Sequence, residues 1–115
     1  MTASYPHAEL VGCSTAGEIR ATHVSDESIA VTAVEFDYTS IRTAQIVLSE
    51  PSDSRQAGRD LATRLVDRSL VHVLVFSDGL AVNGSELTRG FVDELPQGVR
   101  VTGGLAGDGT DFRET

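Results

Sequence analysis

The sequence predicts an α/β domain: a mixed sheet of about five strands with two helices packed on it. Two kinds of observation support this class. Three apolar segments read as strands that run into loops of small residues, and two stretches between them carry apolar side chains at helical spacing. The length of 115 residues suits one domain with one core.

The first strand is expected at Leu10-Val11-Gly12-Cys13, running into Ser14-Thr15-Ala16-Gly17-Glu18. Two β-branched runs follow, Ser28–Phe36 and Ile41–Leu48, joined by Asp37-Tyr38-Thr39-Ser40. They suit an antiparallel hairpin. In the second run Ala44, Ile46 and Leu48 alternate with Thr43, Gln45 and Val47, so one face is expected to be buried.

A helix is expected from about Asp53, which has capping-box spacing to Gln56 and is followed by the stripe Ala57, Leu61 and Leu65. Val71–Phe76 is a nearly continuous apolar run, the pattern of a strand buried on both faces. It leads into Ser77-Asp78-Gly79. A second helix is expected from Asn83, with Glu86 three residues on, the stripe Leu87, Phe91 and Leu95, and a stop at Pro96 and Gly98. Val99-Arg100-Val101-Thr102 is the last strand, followed by Gly103-Gly104-Leu105-Ala106-Gly107-Asp108-Gly109. This order implies two right-handed β-α-β crossovers beside the hairpin. The final residues, 107–115, carry no helix stop or strand end, which predicts an incomplete domain.

Composition narrows the function. Seventeen acids against nine arginines and no lysine give a net charge of −8, so nucleic acid and anionic membrane surfaces are excluded as expected partners. The first seven residues lack the basic start and apolar stretch of a signal peptide. The one cysteine, Cys13, fits a reducing compartment. The expected location is the cytoplasm.

Ligands of open α/β sheets bind beyond the carboxyl ends of the parallel strands, where the three small-residue loops are expected. Glycine permits close backbone approach there. The candidate ligand-binding residues are Gly12, Cys13, Ser14, Thr15, Gly17 and Glu18 in the first loop, Ser77, Asp78 and Asn83 in the second, and Gly103, Gly104 and Asp108 in the third. Backbone N–H groups suit a carboxylate and the acids suit an ammonium group, which makes an amino acid the first candidate. Turn-making alone is the competing explanation of these glycines. Asp78 has two readings as well: contact with a ligand ammonium, or hydrogen bonding to N–H groups of its own loop.

No catalytic or metal set emerges. Cys13 has no motif tying it to a base, Ser14 lacks the second glycine of a nucleophile elbow, and the histidines lack zinc spacing. Neither a Walker A loop nor a dinucleotide fingerprint is present, and no cofactor is expected. An enzyme built on Cys13 or the loop carboxylates, and a scaffold that only pairs with another domain, stay open as alternatives.

The stretch Val11–Glu18, then Val75-Phe76-Ser77-Asp78-Gly79-Leu80, Asn83, and Gly103–Gly109 with Phe112 resembles the N-terminal part of the FIST domain family in order and spacing. The resemblance implies a sensory module of signal-transduction proteins that binds small ligands, amino acids among them. It also implies further segments on both sides of this stretch, and association with a FIST C-terminal-type region; a sheet cut short at the unfinished ending leaves an unpaired edge, which predicts pairing with a second copy.

Overall fold

The computed structural model describes residues 5–48, 50–107 and 109. Along the chain come β1 (Glu18–Arg20), β2 (His23–Ser25), a 3-10 turn (Pro51–Asp53), α1 (Ser54–Leu65), β3 (His72–Ser77), α2 (Gly84–Glu94) and β4 (Arg100–Leu105). β1 and β2 form an antiparallel hairpin. β3 and β4 pair in parallel, His72 opposite Arg100 through Ser77 opposite Leu105, with α2 as the crossover.

The class is α/β, as expected, but the sheet is not. Among the described residues there are two sheets of two strands each instead of one of about five, and one β-α-β crossover instead of two. Leu10–Cys13, Ser28–Phe36 and Ile41–Leu48 carry no strand assignment. The physical reason is that a strand is defined by its partner, whereas alternation only fixes which side of an extended chain is apolar. The alternation itself survives: Ala44, Ile46 and Leu48 are half-buried while Thr43, Gln45 and Val47 are exposed. Arg64 holds this segment by donating from Nη1 to the Gln45 carbonyl at 3.0 Å, and Arg42 pairs with Asp67 at 3.1 Å.

The core lies between the two helices and the inner face of β3–β4. Ala57 and Ala62 of α1, Leu87 and Phe91 of α2, Val73 of β3 and Val82 form it. Helices cover only this face. The outer face leaves Leu74 63% and Phe76 47% exposed, so β3 is buried on one side and not on both.

Both helix starts differ instructively from their sequence signals. Asp53 makes no side-chain cap, and Gln56 donates to Asp60 instead, at 2.8 Å. Its backbone belongs to the preceding 3-10 turn and is already helical, whereas a capping residue needs an extended one. Asn83 is extended and its Oδ1 accepts from the Glu86 N–H at 3.1 Å; the Glu86 carboxylate pairs with Arg89.

The helices cross at reciprocal glycines. A Cβ on Gly58 would lie 2.3 Å from the Leu87 carbonyl oxygen, and one on Gly90 would lie 2.1 Å from that of Arg55. Beside the crossing, Asp93 accepts from Arg55 Nε at 2.9 Å and Arg59 Nη2 at 2.8 Å. Those two guanidinium groups, Arg55 first, hold the Asp93 carboxyl below the usual carboxylate range.

Gly58→Ala is therefore expected to lower stability by roughly 1–3 kcal/mol through overpacking, measured by urea unfolding. Gly12→Ala, where a Cβ meets open space, is expected to shift it by no more than about 0.5 kcal/mol.

Candidate functional site

The parallel strands β3 and β4 end side by side, and their loops meet there. The Ala106 N–H donates to the Ser77 carbonyl at 2.7 Å, extending the ladder one step past β4. Gly79 then passes so close to Ala106 that a Cβ on it would lie 2.2 Å from the Ala106 carbonyl oxygen. The first loop joins the same place. Ser14 Oγ donates to the Gly107 carbonyl at 2.9 Å, and a Cβ on Gly107 would come within 3.1 Å of the Ala16 Cβ. Residues 93 positions apart in the chain thus form one junction of three loops.

Within the first loop, Glu18 is the organising group, and it belongs to β1 and not to the loop itself. Its carboxylate accepts from Thr15 Oγ1 at 2.6 Å and from the Ser28 hydroxyl. These bonds, Ser28 before Thr15, lower its pKa because they favour the charged form. Gly17, at φ +133°, makes the turn into β1. Cys13 is exposed and lies outside the described strands.

Asp78 Oδ1 accepts from the N–H groups of Leu80 and Ala81, both at 2.6 Å. This is the loop-holding arrangement of the two readings. Asn83 caps α2 with its side chain, and its own N–H donates to Ser54 Oγ at 2.9 Å. Ser54 is fully buried and donates in turn to the Pro51 carbonyl at 2.6 Å. One hydroxyl therefore ties the start of α1 to the start of α2, and so positions the second loop. Nothing in its sequence context sets it apart, since its partner Asn83 is brought to it only by the fold.

Gly103 and Gly104 belong to β4 and not to a loop after it. With Ser77 they line an open groove of about 460 Å³ between β4 and the first half of α2. The remaining candidates do not line that groove, and Asp108 lies outside the described residues. No group of three or more acids, histidines or cysteines that could hold a metal occurs among the described residues. No helix among them is long and apolar enough to cross a membrane.

Comparison with known proteins gives one finding. A family model described as the FIST N domain matches the chain over residues 1–115. No curated protein and no solved structure matches it.

Two measurements check this geometry. Ser54→Ala leaves the Asn83 N–H without its acceptor and is expected to cost about 1–3 kcal/mol in urea unfolding. In an NMR titration Glu18 is expected to titrate below the ordinary glutamate value of about 4.3 and to return toward it in Thr15→Val/Ser28→Ala. Because its folded pKa is depressed, its contribution to stability is present above the unfolded value and is lost as pH falls through the folded one.

Proposed function

Since the chain belongs to the FIST N domain family, a family of sensory domains, we propose that it is a cytoplasmic ligand-sensing module of a signal-transduction protein. Its ligand is a small polar molecule, with a free amino acid as the first candidate. The reading is supported above all by the meeting of three loops at the carboxyl ends of β3 and β4, tied by the Ser14–Gly107 and Ala106–Ser77 hydrogen bonds. Ligands of open α/β sheets bind at such ends because backbone groups there have no further strand to pair with.

The chemistry of the junction suits a zwitterion. Glu18 is a half-buried carboxylate held in its charged form by two hydroxyls; a carboxylate has about four acceptor directions, so an ammonium group can be added to that set. The positive end of the α2 dipole suits the ligand carboxylate, the Glu86 N–H there being already held by the Asn83 side chain. Asp78, engaged by two backbone N–H groups, has the supporting role of shaping the loop. Sensing requires a change in the native state on binding and no nucleophile, so Cys13 has no catalytic part in it.

A thermal-shift screen of amino acids and small metabolites tests the reading. At about a hundred times Kd, a ligand adds about 2.7 kcal/mol to the native state, several degrees in Tm for a domain of this size. Glu18→Gln, which removes the charge, and Ser14→Ala, which cuts the tether to Gly107, are expected to weaken the shift at least about tenfold in Kd. A broad screen without any hit overturns the sensing role. Hits indifferent to both substitutions place the ligand elsewhere.

A further inference from the structure

Asn83 is the only asparagine of the chain, and a glycine follows it. Such a pair ordinarily marks a tight turn. Here it starts a helix: Asn83 is exposed, extended at ψ 100° and caps α2, and Gly84 is the first helical residue, whose N–H has no acceptor within the helix. The fold does not require the glycine. A Cβ on Gly84 would meet Leu105 Cδ2 at 3.4 Å, an ordinary contact, and Gly84 is not among the glycines of positive φ. What glycine supplies at this position is a backbone nitrogen that no Cβ hinders.

We propose that Asn83 is a site of covalent modification, deamidation through a cyclic imide, gated by the α2 cap. Hydroxide takes the Gly84 amide proton, the nitrogen bonds to Asn83 Cγ, and the bond from Cγ to Nδ2 breaks with release of ammonia. Water then opens the imide at either carbonyl, leaving aspartate or isoaspartate at position 83. The cap is the gate. Ring closure needs a negative ψ at Asn83, which swings the Gly84 nitrogen onto the side chain; at ψ 100° it is turned away. The Asn83 Oδ1 is held by the Glu86 N–H at 3.1 Å, and the Asn83 N–H by Ser54 Oγ at 2.9 Å. These bonds open before the ring can close, so the rate follows the local opening of this helix start.

Either product carries a carboxylate where the amide stood. Aspartate can still cap α2, whereas isoaspartate routes the backbone through the side-chain carbon and cannot hold the same cap geometry. The added charge stands at the positive end of the α2 dipole, the place that the sensing role gives to the ligand carboxylate. Modification thereby switches that site off, a consequence that rests on the sensing role; the modification itself does not.

The test is mass spectrometry of the intact chain and its peptides, followed over time in mildly alkaline buffer with and without urea. In urea Asn83 is expected to convert at the rate of an unprotected pair, and in the native chain at least about fivefold more slowly. Ser54→Ala, which frees the Asn83 N–H, is expected to speed native conversion about fivefold or more. Gly58→Ala disturbs the helix crossing without touching the cap and is expected to change it by less than about twofold. Gly84→Ala, which the space at Leu105 admits, is expected to slow conversion at least about tenfold even in urea. A native chain that converts as fast as the unfolded one, an amide that persists in native wild type and Ser54→Ala while the urea sample converts, or a Gly84→Ala chain as fast as wild type would each overturn the proposal. Equal acceleration by Gly58→Ala and Ser54→Ala would overturn it too, because the opening would then be global. No ligand enters these readouts, so their failure is separate from failure of the sensing role.

Discussion

The packing of the helices on β3–β4 depends on how closely α1 and α2 cross. Gly58 sits against the Leu87 carbonyl and Gly90 against that of Arg55, at separations no side chain would allow. With the backbones in contact, Phe91 and Leu87 reach the same core as Ala57 and Ala62. Small residues on α1 are therefore what let larger ones on α2 fill the space above Val73. The arginine pair on Asp93 lies beside this crossing; as partly exposed ion pairs they contribute little energy.

From that crossing the order extends to the loops. Ser54 is buried where the two helices begin, and its hydroxyl links the Pro51 carbonyl to the Asn83 N–H. Asn83 caps α2 and Asp78 holds the chain between β3 and that cap. The second loop is thus set by hydrogen bonds that lead back to the helix pair, and the first and third loops are set against it through Ser77, Gly79 and Ser14. A ligand engaging these loops would be coupled to the packing of the whole α/β layer, which is what a sensory domain needs in order to pass on a binding event.

The helices, β3 and the start of β4 were legible because each has a local signature: apolar stripes at intervals of four and β-branched runs; the clusters of small residues marked the loops but not their bounds, since Gly103 and Gly104 fall inside β4. Asn83 announced the α2 cap, while Asp53 announced one that does not form, because a 3-10 turn already occupies its backbone. The short hairpin β1–β2 was not legible. Its turn uses Ala21 at φ +54°, where the usual signal would be glycine or asparagine. Gly58 and Gly90 did have a signal, since an isolated glycine inside a helical pattern costs about 1 kcal/mol against alanine and so points to a packing reason.

The sequence by itself determined the α/β class, the acidic net charge, the clusters of small residues, and which side of Ile41–Leu48 is apolar. These follow from composition and period, which need no partner to be read. Only the tertiary structure decided which segments pair: that β3 joins β4 while Ile41–Leu48 keeps its alternation without a ladder, that Ser14 finds Gly107 across the chain, and that one serine joins two helix starts. Pairing depends on which backbone groups arrive within hydrogen-bond distance. That is settled by how closely the helices pack, and no local pattern encodes it.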